Sequence, residues 1–352
     1  MSAMHNQNRF IQLSLYRILD ANLDRAREGL RIIEEWCRFG LDNAQLTEEC
    51  KTLRQELAQW HTAELRAARD TPSDAGTELT HPSEEQRADI QQVLQANLCR
   101  VQEALRVLEE YGKVYRADMG AACKQMRYRV YTLESQLIRH DYQQKLQSAR
   151  LYLVTAPSEK LFATVEAALQ GGLTLVQHRD KEADDETRLV TAHQLCQLCH
   201  RFGALFIVND RVDIALAVGA DGVHLGQQDL PLPLARRLLG SQRIIGCSTK
   251  NPDEMHRAIQ EGADYIGVGP VYATPTKAGR AAAGLEYVRY AAEHAATIPW
   301  FAIGGIDATN VQDVLAAGAR RVAVVRAIMQ SDQPTAVTQQ LLSQITSTQK
   351  EY

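Results

Sequence analysis

GADGVHLG, Gly219–Gly226, reads as the end of one element and most of the next. A glycine stops a helix, a turn follows, and a short buried strand runs on to another glycine. The same phrase returns as GGLTLVQ (171–177), EGADYIGVG (261–269) and AGARRVAVV (317–325). LYLVTA (151–156), ALFIVND (204–210), RIIGCS (243–248) and WFAIGG (300–305) bring the candidate strands to eight, with helical stretches between them. Apolar strands alternating with helices predict a parallel sheet covered by helices. Eight βα units in about 200 residues predict an α/β fold of the TIM (β/α)8 barrel type, at its short end. A doubly wound open sheet is the alternative.

Upstream the rhythm changes. Residues 1–147 are rich in Leu, Ala, Arg, Glu and Gln, and contain a repeat without a gap: ILDANLDRAREGLRIIEEWCR (18–38) against VLQANLCRVQEALRVLEEYGK (93–113). Leu19, Leu23, Ala26, Leu30 and Ile33 fall on one helical stripe, as do Leu94, Leu98, Val101, Leu105 and Leu108. Further helices are expected around Ala44–Arg69 and Ala121–Gln147, giving two hairpins packed as an all-α four-helix bundle. RDTPSDAGTELTHPSEEQ (69–86) reads as a long loop between them. The expected organisation is a helical-bundle domain over 1–147 and a barrel over 148–352. The polar stripe Asn22, Arg25, Glu28 recurs as Asn97, Arg100, Glu103. It is either a surface with ion pairs or a buried polar network or anion pocket, to which Arg69, Asp70 and the Gly76-Thr77 turn could contribute.

Composition narrows the classes. With 39 Lys+Arg against 43 Asp+Glu, there is no general case for a nucleic-acid or membrane-surface binder. MSAMHNQNRF lacks the pattern of a secretory signal and no apolar run is long enough to span a membrane. The expectation is a cytoplasmic protein whose seven cysteines are reduced thiols. A homo-oligomer formed through the helical domain is one possible assembly.

In a TIM barrel the carboxyl ends of the strands form the active-site rim. LTLVQHRDK (173–181) ends its apolar run with Gln177, Arg179 and Lys181 at alternate positions, hence on one face. The next strand ends in Asn209 and Asp210, the fourth leads to Asp229, and the fifth ends in Ser248. The sixth opens into GPVYATPTKAGR with Thr274, Pro275, Thr276 and Lys277, the seventh ends at Gly304 and Gly305, and the eighth reaches Val325 and Arg326. Three cations (Arg179, Lys181, Lys277) call for a multiply charged anion such as a diphosphate. Asp210 and Asp229 beside it make sense with Mg²⁺ between them. The paired glycines let backbone N–H groups approach a second phosphate, where TIM barrels usually hold one. Two phosphorylated small-molecule substrates and loss of pyrophosphate are the implication.

QHRDK, VND, HLGQQD, GCS, GPVYATPTK, AIGGI and VVRAI, in this order and spacing, resemble thiamine-phosphate synthase over roughly residues 150–345. The resemblance implies joining of 4-amino-2-methyl-5-hydroxymethylpyrimidine diphosphate to 4-methyl-5-(2-phosphoethyl)thiazole, with pyrophosphate released. It implies that Gln177, Arg179, Lys181, Asn209, Ser248 and Lys277 hold the pyrimidine diphosphate, with Arg179, Lys181, Ser248 and Lys277 serving catalysis. Asp210 and Asp229 would hold Mg²⁺. Thr274, Pro275, Thr276, Gly305, Val325 and Arg326 would face the thiazole phosphate. The family often has a serine where Arg326 stands, which leaves open whether its side chain or only its backbone binds. The helical extension resembles that of cyanobacterial-type members and brings no activity with it. The alternatives are a thiazole tautomerase-like enzyme and a noncatalytic ligand sensor using the helical domain for partner contact.

Simpler readings stand beside these. Asp210, Asp229 and Ser248 could cap helices, Arg179 and Lys181 could be a solvated strand end, and Thr274 and Thr276 plain turn residues. HQLCQLCH (193–200) spells a haem-attachment motif but is read as an ordinary helix with buried thiols. His178 points away from the site-facing residues and His224 lies within a strand; neither has an evident partner or role.

Overall fold

The computed structural model describes residues 2–72, 74, 86–273, 282–295 and 297–347. Thr274, Pro275, Thr276, Lys277 and the Gly76-Thr77 turn lie outside them. The chain divides into two compact units, Met1–Leu137 and Ile138–Tyr352. The division falls within the helix Ala117–Ser148, ahead of the boundary expected after residue 147.

The first unit is helical. α1 (Ser2–Glu35) continues into a π-helical turn, Trp36–Gly40, followed by α2 (Ala44–Trp60) and a short α3 (Ala63–Ala67). The single helix expected over 44–69 is broken because Thr62 leaves helical geometry and caps a new start, its side chain accepting from the Leu65 N–H. The helices Ile90–Tyr115 and Ala117–Ser148 complete the bundle, and both repeated stripes are buried in one core. The polar stripe divides in two. Asn22 and Asn97 are buried and donate to the carbonyls of Ile18 and Val93 at 2.8 Å, whereas Arg25, Glu28, Arg100 and Glu103 are exposed. Two other repeat-related acids carry the buried charge: Glu34 pairs with Arg54, and Glu109 with Arg127.

In the second unit eight parallel strands close into a barrel in sequence order: β1 Leu151–Val154, β2 Leu175–His178, β3 Leu205–Asn209, β4 Gly222–Leu225, β5 Ile244–Thr249, β6 Tyr265–Val268, β7 Trp300–Ile303 and β8 Val322–Val324. Closure comes from β8 pairing with β1, Ala323 opposite Tyr152. Outward-facing Leu153, Val176, Phe206, Val223, Ile245, Ile266, Ala302 and Val324 pack with the surrounding helices. Inward-facing Tyr152, Val154, Leu175, Leu205, Ile207, Ile244, Tyr265, Phe301 and Ala323 form a separate core inside the barrel.

That inner core has two builders outside the strands. Leu146 and Ala149, just ahead of β1, are buried in it, and Tyr142 packs against it. Within it Tyr152, Tyr265 and Phe301 meet edge to face, with ring centres 5.2–5.8 Å apart. Gly246 makes this possible: a Cβ there would lie 2.1 Å from Cζ of Tyr265.

Candidate active site

The carboxyl ends of the strands open onto two cavities that share Ile303, Ala323 and Val325 as a common wall. The first lies over the inner core and is lined by Gln177, Arg179, Asn209, His224 and Ser248 with Tyr152, Gly267 and Phe301. The second is a cleft lined by Gly304, Gly305, Ile306, Asp307, Val325 and Arg326. Of the predicted residues, Gln177, Arg179, Asn209 and Ser248 therefore meet at one cavity, and Gly305, Val325 and Arg326 at the other.

Lys181, Asp210 and Asp229 form a third group, just past the ends of β2, β3 and β4. Lys181 Nζ lies 2.9 Å from Asp210 Oδ2, and the Asp210 and Asp229 carboxyls are within hydrogen-bonding reach of each other. Asp229 is raised above the usual carboxylate range by burial and by Asp210, although it accepts the Gly226 N–H at 2.6 Å. Burial also works to raise Asp210, but Lys181 and Asp229 outweigh it and hold the carboxyl low. The opposite shifts have one cause: two adjacent carboxylates resist ionising together. Asp210 also has φ of 62°, in the left-handed region, which Asp tolerates better than most residues and which concentrates at functional sites.

The glycines of the second cavity have a geometric reason. Gly304 (φ 113°) and Gly305 (φ 68°) pass so close to the loop after β6 that added Cβ atoms would fall 2.6 Å from Pro270 Cα and 2.9 Å from Tyr272 Cβ. Opposite them, Arg326 opens the short helix Arg326–Met329. Asp307 is held low chiefly by Thr309, whose N–H and hydroxyl it accepts, with a smaller contribution from Arg326.

Sequence reading missed three residues. His224 has partners on both ring nitrogens: Nδ1 lies 3.0 Å from the Tyr265 hydroxyl and Nε2 2.9 Å from Ser248 Oγ. Tyr265 OH is 2.7 Å from Tyr152 OH, which in turn receives Gln177 Nε2 at 2.5 Å. The available signal was parity: Tyr152, His224 and Tyr265 occupy inward positions in strands otherwise apolar. His178 does face away from the cavity; its Nδ1 lies 3.5 Å from Thr155 Oγ1, and burial lowers it to about 4.

The haem-like motif is structural. Cys196 and Cys199 are buried on the helix Asp185–Arg201, and His200 Nε2 is 3.1 Å from Asp221, which also accepts the Phe206 N–H at 2.7 Å. The Asp221 hydrogen bond raises His200 from 6.5 to about 10. A raised histidine stabilises the fold fully below its unfolded pKa and loses that contribution as pH climbs through the folded value. The urea midpoint should therefore fall between pH 7 and 10, and His200→Gln should flatten this part of the profile. Parallel profiles for the two proteins would remove His200 as the cause.

Among the described residues, one three-group set has metal-ligand proximity: Asp20, Asp24 and His61 in the helical unit, within 4.8 Å of one another. Arg69 already bonds both carboxylates, so the positive charge that a cation would supply is in place. No helix among the described residues is long and apolar enough to cross a membrane.

The fold and the grouping of charge at its rim define a (β/α)8 enzyme that handles phosphorylated small molecules. Residues 151–328 match the thiamine monophosphate synthase family, and residues 17–136 match the ThiD2 family. The thiamine-phosphate synthase of Nostoc punctiforme is 70% identical over 341 residues, 97% of each chain. That of Synechocystis is 65% identical, covering 94% of this chain and 96% of its own. A solved thiamine phosphate pyrophosphorylase from Pyrococcus furiosus superposes with a TM-score of 0.53 at 36% identity, covering 58% of this chain and 98% of its own. The chain belongs to the thiamine-phosphate synthase family: it is a transferase of thiamine biosynthesis.

Proposed function

We propose that this protein joins 4-amino-2-methyl-5-hydroxymethylpyrimidine diphosphate to 4-methyl-5-(2-phosphoethyl)thiazole, with the first cavity taking the pyrimidine and the second the thiazole phosphate. The observation that carries this reading is the shared wall: two cavities with separate polar linings meet at Ile303, Ala323 and Val325. Two substrates could react there across a short gap. Gln177, Arg179, Asn209 and Ser248 hold the pyrimidine diphosphate, with Lys181 and Lys277 completing its charge. Gly305, Val325 and Arg326 hold the thiazole phosphate, with Thr274, Pro275 and Thr276 nearby in sequence. Arg326 and Asp307 both line this cleft, which supports a guanidinium at its wall.

The residues present fit Mg²⁺. Asp210 and Asp229 bring two carboxyls together so that each resists the ionisation of the other, a repulsion that a hard divalent ion relieves. They would hold the ion, and when bound it would offset negative charge on the departing diphosphate.

The chain's own groups account for the rest. The bond from the pyrimidine's exocyclic methylene carbon to the diphosphate oxygen breaks, and its electron pair leaves with pyrophosphate. The 4-amino group feeds density into the ring, and the thiazole nitrogen closes the new C–N bond with its lone pair. Arg179, Lys181 and Ser248 stabilise the charge that gathers on the leaving oxygens. No enzyme nucleophile or proton transfer at carbon is required.

The test is pyrophosphate release by the purified protein with both substrates and Mg²⁺. The synthase releases it in a thiazole-dependent manner. A tautomerase-like enzyme or a ligand sensor would release none, and that result would overturn the proposal. A cytoplasmic location and an accessory role for the helical unit complete the reading.

A further inference from the structure

We infer that Tyr152, Tyr265 and His224 are positioning residues, a hydrogen-bond relay that makes Gln177 and Ser248 choose their polarity together and thereby selects an aminopyrimidine bound as its diphosphate. This rests on the pyrimidine site proposed above. The relay runs from Gln177 to Tyr152, Tyr265, His224 and Ser248 through four hydrogen bonds of 2.5, 2.7, 3.0 and 2.9 Å. Gln177, Tyr152 and Tyr265 are at least 98% buried, so a hydroxyl or amide hydrogen left without an acceptor there is expensive. Burial pushes both tyrosine hydroxyls up, so each keeps its single hydrogen.

Each tyrosine hydroxyl donates once, and a neutral imidazole has one donor and one acceptor nitrogen. The chain therefore has two complete polarities. In one, the Gln177 amide donates to Tyr152, Tyr152 to Tyr265, Tyr265 to His224 Nδ1, and His224 Nε2–H to Ser248. Gln177 then turns its carbonyl oxygen to the cavity, and the Ser248 hydroxyl hydrogen is left for a ligand. In the other, all four bonds reverse, Gln177 offers an amide N–H₂, and Ser248 spends its hydrogen on His224. A change at either end propagates through every link or strands a buried hydrogen.

The amide nitrogen of Gln177 faces Tyr152, which is the first polarity. That polarity meets an amino donor at Gln177 and an anionic oxygen at Ser248, the two ends of a 4-aminopyrimidine diphosphate. A 4-oxo pyrimidine asks Gln177 for a donor. Meeting that request would turn Ser248 into an acceptor facing a diphosphate oxygen. The diphosphate thus enforces the choice of base from the far side of the barrel.

The experiment is calorimetric binding of two diphosphates that differ only in a 4-amino or 4-oxo group, with the thiazole phosphate left out. The wild type should prefer the amino compound by more than about 100-fold, because a site built to accept a hydrogen bond rejects its mismatch strongly. Tyr265→Phe keeps the ring and cuts the relay, so Gln177 can turn over alone. The preference should then fall at least tenfold, and Tyr152→Phe should do the same. Damage to packing alone would weaken both ligands equally, and an unchanged ratio in folded variants would overturn the relay. If the wild type bound neither compound, the pyrimidine-site reading itself would fail.

Discussion

Asp210→Asn should lower turnover by about two to three orders of magnitude, the usual loss when one group stabilising a developing charge is removed. Asparagine is the informative replacement. It tolerates the left-handed backbone at this position, whereas alanine would add strain unrelated to charge. It also retains one oxygen ligand, so excess Mg²⁺ should restore part of the activity. Stability should fall only modestly, because the substitution gives up the Lys181 ion pair but also ends the repulsion between Asp210 and Asp229. Asp229→Asn should behave alike. Turnover within twofold of wild type for either variant would dismiss the carboxylate pair as the metal site.

A fragment beginning at Ser148 should be far less stable than one beginning at Ile138. The shorter fragment lacks Leu146, buried in the inner core, and Tyr142, packed against it. Losing a buried leucine side chain alone costs about 2–5 kcal/mol. Marginal domains have only about 5–15 kcal/mol in total. Urea titration should give the longer fragment a clearly higher midpoint, with thiazole-dependent pyrophosphate release retained if the helical unit is accessory. Equal midpoints would mean that these residues do not support the barrel.

These residues mark where the sequence was opaque. The helix that carries them reads as a continuation of the bundle, with a helical period throughout, and nothing in a period reveals which core receives each turn. Barrel topology was far more legible. Four glycine-led strand phrases repeat a βα unit, and eight such units leave few closed arrangements. Gln177, Arg179, Asn209 and Ser248 were legible because polar groups at the ends of apolar strands need an explanation. Tyr152 and Tyr265 were not, because aromatic residues inside strands are ordinary core; only closure of the barrel, which sets β1 across its interior from β6, brings their hydroxyls together. His224 was set aside because its partners are 24 and 41 residues away. The break in the helix at Thr62 was overlooked although Thr62 is a good cap, because the surrounding helical signal is strong.

The most direct measurement is a crystal structure with Mg²⁺ and inorganic pyrophosphate. One ion should be bound by both Asp210 and Asp229, with the anion's oxygens reached by Arg179, Lys181 and Ser248. Pyrophosphate bound elsewhere, or a metal ion that ignores either aspartate, would contradict it.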